Sequence, residues 1–236
     1  MKRTLLKISV TQVLLLAVAS YGYARSAQRR YSAMEPVNQY LIPDRNAEIA
    51  LARSAAPKSI SDHAEILVLK PDGFQTAVKG TNGFVCIVER SWDAAPDDPQ
   101  FWNARIRGPN CFNPAAARSV LPVMIMKTRL ALAGKSAAQI SAAVAAAFDR
   151  KKLALEPGSL CYMMSKQGYL NDAAGRWHPH LMFYVPSSEA KRWGAGLPGS
   201  PILASNDPAE RLAVLIIPVA RWSDGTADSK SGNGTH

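Results

Sequence analysis

Runs of strand-forming residues over 64–90 and 160–219 flank a helical segment, and this order constrains the fold more than any other feature of the sequence. Three short apolar runs between residues 64 and 90 are separated by turn signals. Asn82-Gly83 supplies the positive φ angles of a tight hairpin, so we expect an antiparallel meander there. Helix formers follow over residues 114–150, and apolar strand-like runs return over residues 160–219. This order indicates an α+β fold, with a mainly antiparallel sheet of about five to six strands and two or three helices packed on it.

Residues that cap helices mark where the helical segments begin. Asp44 is a suitable N-cap for a short helix, since its carboxylate accepts hydrogen bonds from the free amides of a first turn. Asn113 is a second N-cap candidate, and Pro122 lies inside the stretch that follows, where a proline kinks or splits a helix. Ser136 and Gln139 have the spacing of a capping box. The sequence therefore predicts one helix before the first strands and further helices in the middle of the chain.

The N-terminus has the three parts of a secretory signal peptide. Basic residues come first, residues 8–20 carry no charge, and small residues precede a cleavage point between Ala24 and Arg25. The apolar run is too short to span a bilayer comfortably, because a transmembrane helix needs about 20 apolar residues. We therefore predict a signal peptide over residues 1–24. The alternative is an uncleaved N-terminal anchor.

The rest of the chain divides into three parts. We predict a flexible lead-in over residues 25–43, a single α+β domain over 44–222 and a disordered tail over 223–236, where no large apolar residue occurs. Three basic residues belong to the predicted signal peptide, so the formal net charge of +10 falls to +7 in the mature chain. The remaining basic residues are scattered, which does not indicate a nucleic-acid partner. We expect an exported protein, periplasmic or secreted, without a stable membrane span after cleavage.

Three cysteines allow one disulfide and leave one thiol over. Export would place the chain in an oxidising compartment, where disulfides form. We expect Cys86, in a predicted strand, to pair with Cys111 in the loop that follows, a closure that would stabilise the fold by roughly 3–4 kcal/mol. Cys161 lies between apolar residues and would then be a buried strand residue with a free thiol. The alternative is three buried thiols.

The segment from Trp177 to Tyr184 holds the best candidate for a binding site. In an extended strand His178, His180 and Met182 share one face, while the alternate residues are apolar and should face the core. The two imidazoles then lie about 7 Å apart, close enough to contact one ligand. We therefore predict a ligand site formed by Trp177, His178, His180 and Met182. No cofactor is expected and no metal site is assigned, because two histidines are too few for zinc.

These features support three functions and assign no catalytic residue. The first is a ligand-binding or envelope-associated protein whose partner is a small molecule or an envelope component. The alternative is an extracytoplasmic hydrolase in which His178 or His180 is the general base, with Asp172 or a serine beside it. The second alternative is a copper- or zinc-handling protein, since imidazole and thioether groups on one strand face suit copper. The sequence leaves enzyme and binder undecided.

Overall fold

The computed structural model describes residues 30–207 and 210–229 of the 236-residue chain. The predicted signal peptide and its cleavage point between Ala24 and Arg25 lie outside the described residues. Residues 25–29 of the predicted lead-in and 230–236 of the predicted tail lie outside them as well. Within the described ranges, no helix has the length and apolar character needed to cross a membrane.

One sheet forms the centre of the fold. Its strands are β1 Glu65–Lys70, β2 Gly73–Val78, β3 Val85–Glu89, β4 Gly108–Phe112, β5 Leu160–Met163, β6 His180–Pro186, β7 Leu203–Asp207 and β8 Leu212–Pro218. They lie in the order β2-β1-β3-β4-β5-β6-β8-β7. The α-helices of the described chain are α1 Arg45–Arg53, α2 Lys58–Ser61, α3 Pro114–Ser119, α4 Leu121–Leu132 and α5 Ala137–Asp149. The α+β class is confirmed, but the strands and the described helices outnumber the prediction.

Two strands, β4 and β7, were not expected from the sequence. β4 reads Gly-Pro-Asn-Cys-Phe, a composition typical of a turn, yet all of its residues are buried between β3 and β5. β7 reads Leu-Ala-Ser-Asn-Asp and lies at the edge of the sheet. Neighbouring strands supply the pairing that neither sequence favours on its own, because strand formation depends strongly on tertiary context.

β1 and β2 form an antiparallel hairpin, but β3 pairs in parallel with β1 on its other side, so the predicted meander is wrong. The connection from β2 runs close to the start of β1. A Cβ built at Gly80 would lie 2.2 Å from the Glu65 amide nitrogen, so only glycine permits this approach. Asn82 does not lie in a hairpin turn, contrary to the prediction. Its side chain donates to the Ile60 carbonyl at 2.8 Å and accepts from the Phe84 amide at 3.0 Å, which fixes the crossing.

The predicted helix starts are confirmed. Asp44 and Asn113 cap α1 and α3, and each side chain accepts a hydrogen bond from a first-turn amide, at 2.8 and 2.9 Å. Pro122 lies in the first turn of α4, so the helical stretch splits into α3 and α4 there. Ser136 and Gln139 form the capping box at the start of α5. Local hydrogen bonding in each cap explains why the sequence alone locates these boundaries.

Helices cover both faces of the sheet. α1 packs on the face that presents Ile66 and Cys86. α3 and α4 pack on the opposite face, against a core that includes Leu67, Ile87 and Phe112. α5 packs against α4, so the second face carries the thicker layer. The buried side chains of the central strands β1, β3 and β4 therefore face one of two helical layers, whereas residues of the edge strands β2 and β7 are partly exposed.

The described ends of the chain contact the domain. In the predicted lead-in, Tyr40 is fully buried and its hydroxyl donates to the Trp102 carbonyl at 2.9 Å. In the described part of the predicted tail, the Ser223 amide donates to the Met164 carbonyl at 3.0 Å, and Asp228 is buried. The packed part of the chain therefore begins before residue 44 and continues past residue 222.

The predicted disulfide between Cys86 and Cys111 is confirmed. The two residues are direct partners across the antiparallel pair of β3 and β4, so the strand register brings them together. Cys161 is a free and fully buried cysteine on β5, as expected, and its sulfur lies 3.2 Å from the Tyr184 hydroxyl oxygen. Burial raises the pKa of the Cys161 thiol well above its usual range, so it is not a reactive thiolate in the folded protein.

Candidate functional site

Trp177, His178 and His180 lie together at the start of β6. The centroid of the Trp177 ring lies 5.7 Å from that of His178 and 4.9 Å from that of His180. They border a recess of about 10 Å³, which holds roughly one water molecule. Met182 instead lines a separate and larger cavity. The structure therefore brings together the aromatic residue and both histidines of the predicted site, and places the methionine elsewhere.

The two histidines have different surroundings. Nδ1 of His178 lies 2.5 Å from Oδ2 of Asp228; the Asp228 carboxylate is buried, while the His178 side chain is 31% exposed. Nδ1 of His180 donates to the His178 carbonyl at 2.7 Å, and burial lowers the His180 pKa. His180 is therefore a neutral imidazole held in place by the backbone. His178 forms a histidine–carboxylate pair with a part-exposed ring.

Both faces of β6 are covered. We expected its Leu181, Phe183 and Val185 side to face the core and the other side to face a ligand. In the structure, Tyr184 and Met182 belong to the core on the side of α3 and α4. Phe183 and Val185 pack on the opposite side, in a smaller cluster that includes a short 3₁₀ helix. The difference arises because β6 is an interior strand with a packed layer on each face.

Asp172, the carboxylate considered as a partner for the histidines, binds tyrosines instead. The hydroxyls of Tyr31 and Tyr169 each donate to it at 2.6 Å, and Asn103 donates at 3.1 Å. Burial raises the pKa of Asp172, but these hydrogen bonds outweigh it and lower the pKa overall. Over the described ranges, no serine hydroxyl forms a hydrogen bond with the His178 ring. The hydrogen bond of that ring is to Asp228.

The larger cavity has a volume of about 290 Å³ and was not anticipated from the sequence. It is bordered by strands of the sheet, by α4 and by a 3₁₀ helix, Ser91–Asp93. Its walls are largely apolar and include Met124, Met163, Leu170, Met182, Val214 and Ile216. Four acidic side chains, Glu89, Asp93, Asp98 and Glu210, line the same space. We call this space the acidic cavity.

Glu89 is the last residue of β3 and lies on the same side of that strand as Ile87. Its Oε1 accepts a hydrogen bond from Nδ2 of Asn110 at 2.6 Å. Burial, with a smaller contribution from the charge of Asp93, raises the pKa of Glu89 from 4.5 to about 8. At neutral pH this carboxyl group therefore holds a proton for much of the time.

Asp93 ends the 3₁₀ helix and has an unused acceptor atom. Its Oδ2 accepts a hydrogen bond from the Arg90 amide at 3.1 Å. Its Oδ1 is buried and has no hydrogen-bond partner in the part of the chain that the structure describes. Burial raises the pKa of Asp93 from 3.8 to about 7, although the nearby charge of Lys127 acts in the opposite direction. Asp93 and Glu89 thus both resist ionisation.

A buried ammonium group lies beside these carboxyl groups. Lys127 of α4 donates to Oε1 of Glu210 at 2.8 Å, to the Asp93 carbonyl at 2.8 Å and to the Ala94 carbonyl at 3.2 Å. The side chains of Lys127 and Glu210 are only 5% and 7% exposed. These contacts engage all three donors of the ammonium group. Lys127 therefore balances the charge of Glu210 and has no donor left for a ligand.

Arg90 borders the acidic cavity, but its guanidinium group is engaged elsewhere. The group forms a fully buried ion pair with Glu48 of α1, with 2.8 Å between the Arg90 Nη2 and Glu48 Oε1 atoms. It also donates to the carbonyls of Tyr40, at 2.7 Å, and Val88. Arg90 therefore stabilises the packing of α1 on the sheet, and each of its three guanidinium nitrogens donates to a protein acceptor.

Sequence reasoning missed the acidic cavity because its residues are far apart in the chain. Glu89 ends an apolar strand, and that position is the only local signal of a buried carboxyl group. Asp93 and Glu210 lie in segments without periodicity. The sheet order and the packing of α4 bring Lys127 and Glu210 to the same place as Glu89, and neither could be inferred from local patterns.

No family model matches the chain, and no curated protein and no solved structure matches it either. In the described segments, no group of three or more His, Cys, Asp or Glu side chains is arranged to hold a metal ion. Two features therefore carry the functional argument: the acidic cavity and the pair formed by His178 and Asp228.

Proposed function

We propose that this chain is an exported ligand-binding protein whose ligand occupies the acidic cavity. The observation that carries the proposal is the cavity itself, about 290 Å³ of space with largely apolar walls and a few polar groups. This combination is typical of small-molecule sites, whose apolar lining supplies affinity and whose few polar groups fix orientation. Of the residues predicted from the sequence, Met182 contributes to this site.

The placement of the carboxyl groups also supports a binding role. Glu89 and Asp93 lie beside largely apolar walls, and the nearby ammonium group of Lys127 forms its ion pair with Glu210. Burying such groups costs free energy that apolar residues of similar size would not cost. Titratable groups with strongly shifted pKa values that line a cleft are typical of functional sites.

Two further features support the proposal that the protein is exported. Residues 1–24 have the pattern of a signal peptide. The Cys86–Cys111 disulfide is typical of proteins that mature in an oxidising compartment. In this proposal the mature protein acts in the periplasm or after secretion, its partner is a small molecule, and it needs no resident cofactor.

A thermal-shift screen of the mature protein tests the proposal. The panel contains uncharged, cationic and anionic molecules of about ten non-hydrogen atoms, a size that suits a cavity of this volume. A ligand that binds only the folded state raises the melting temperature. Val214→Phe, which fills the cavity, should abolish that rise, whereas Leu197→Phe at a position 58% exposed should keep it. No rise with any class, or an equal rise in the Val214→Phe protein, contradicts the proposal.

The pair formed by His178 and Asp228 supports a second candidate function, a hydrolase with His178 as general base. A buried carboxylate on Nδ1 orients the imidazole, and the other ring nitrogen can accept a proton. The test is hydrolysis of 4-nitrophenyl acetate by the wild type, by His178→Gln and by His63→Gln at an exposed histidine. Activity lost only in the His178→Gln protein supports this function. Equal rates in the three proteins rule it out.

A further inference from the structure

We infer that the acidic cavity binds a primary ammonium group carried on a short apolar body. The inference rests on the proposed function and adds the chemical class of the ligand. It follows from the hydrogen-bonding groups around the cavity, from their charge and from the shape of the apolar walls.

Buried acceptor atoms at and beside the cavity have no partner among the described residues. Within the described ranges, Oδ1 of Asp93 and Oδ1 of Asn110, the residue bonded to Glu89, are buried without a hydrogen-bond partner. The three donors of the Lys127 ammonium group are engaged by protein acceptors, and each guanidinium nitrogen of Arg90 also donates to one. Buried acceptors without partners are costly, so a ligand that fits here must bring donors.

Ser91 adds an independent observation. It lines the cavity, is 1% exposed, and its hydroxyl oxygen has no hydrogen-bond partner among the residues that the structure describes. A hydroxyl can accept as well as donate. A primary ammonium group has three donors, which matches a set of acceptors made of Ser91, Asp93 and the carboxyl group of Glu89.

The charge around the cavity favours a cation over a neutral donor. Among the described residues, the acidic side chains Glu89, Asp93, Asp98 and Glu210 line the cavity. The two cations beside them are committed to carboxylates, Lys127 to Glu210 and Arg90 to Glu48. This local excess of acidic groups contrasts with the chain as a whole, whose formal net charge is +10. A positive ligand can move into this excess and allow the carboxyl groups to ionise, whereas an anion would meet repulsion.

The apolar walls define the rest of the ligand. The thioether and alkyl side chains of Met124, Met182 and Ile216 offer no hydrogen bonds, so they favour an alkyl or aryl body. A volume of about 290 Å³ admits roughly ten non-hydrogen atoms when each takes about 30 Å³. A small aromatic or aliphatic amine satisfies the size, the donors and the charge together.

Isothermal titration calorimetry with three compounds of similar size tests the inference. The probes are 2-phenylethylamine, 2-phenylethanol and phenylacetate, titrated into the mature protein at pH 7. We expect the amine to bind at least about tenfold more tightly than the alcohol, because charge-assisted hydrogen bonds are stronger than neutral ones. Phenylacetate should bind most weakly. In the Asp93→Asn protein the amine should lose about tenfold in affinity, while the alcohol should keep its affinity.

Control variants separate this inference from the proposed function. Glu35→Gln, at an exposed glutamate, should leave the affinity for the amine unchanged. Glu89→Gln retains the acceptor for Asn110 and should weaken amine binding if Asp93→Asn fails to fold. An alcohol or carboxylate that binds as tightly as the amine overturns the inference and leaves the proposed function intact. Absence of binding by all three probes also overturns the inference, and the proposed function fails only if the thermal-shift screen finds no ligand either.

Discussion

Replacing Glu89 by Gln should change the way in which stability depends on pH. In the folded protein Glu89 keeps its proton up to about pH 8, whereas the free carboxyl group loses it near 4.5. The folded state therefore binds more protons than the unfolded state between these values, and the free energy of unfolding falls as pH rises through them. Glutamine does not titrate, so the decrease in the free energy of unfolding that Glu89 causes in this pH range should be absent from the variant.

The size of the effect follows from the pKa shift. Each unit of difference between the folded and unfolded pKa corresponds to about 1.4 kcal/mol, so the shift of Glu89 would reach roughly 5 kcal/mol if fully expressed. Relaxation around a charge in a cavity reduces such values, because buried sites respond with an effective dielectric constant of about 20. We therefore expect the Gln variant to gain about 2 kcal/mol over the wild type between pH 5.5 and pH 8.5.

Urea unfolding at these two pH values measures the difference. The Gln variant keeps the acceptor for Asn110, so the two proteins should have similar stability at pH 5.5 and diverge at pH 8.5. Glu35→Gln at an exposed position should follow the wild type at both pH values. If wild type and Glu89→Gln differ by the same amount at pH 5.5 and pH 8.5, Glu89 has no raised pKa and the electrostatic account of the cavity is refuted.

Three further predictions follow from the fold. Replacing Cys86 and Cys111 by Ala should lower the free energy of unfolding by roughly 3 kcal/mol in urea titrations, because the disulfide no longer restricts the unfolded chain, and an unchanged midpoint would contradict this. A thiol-labelling reagent used without reductant should modify Cys161 alone, and only after denaturation, because this thiol is buried. Mass spectrometry counts the modified cysteines, and rapid labelling of the native protein would refute the burial of Cys161. Arg90→Met should cost about 3–5 kcal/mol because it leaves the Glu48 carboxylate buried without its partner, and a loss below about 1 kcal/mol would show that the pair is open to water.

The sequence located the parts of the fold that depend on neighbouring residues. Helix caps at Asp44, Asn113 and Ser136 are built from side chains and amides within a few positions, so their patterns are visible in the chain. The pairing of Cys86 with Cys111 was predictable because the chain has few cysteines and the predicted export would favour oxidation.

Long-range pairing was not accessible in the same way. The parallel contact of β3 with β1 depends on a crossing that Gly80 permits, and the turn signal at Asn82 gave no indication of it. The acidic cavity depends on that sheet order and on α4, because Glu89, Lys127 and Glu210 meet only after both are in place. Predicted strand alternation suggested an open histidine face on β6, but the layers on both sides of the sheet close it.

The central claim is that the acidic cavity is a ligand site, and a crystal structure of the mature protein grown with 2-phenylethylamine tests it most directly. The account predicts the amine inside the cavity, with its ammonium group hydrogen-bonded to Asp93 and to Glu89 or Ser91, and with its ring against Met182. An amine bound only outside the cavity, or turned with its ammonium group away from these carboxyl groups, would contradict the account.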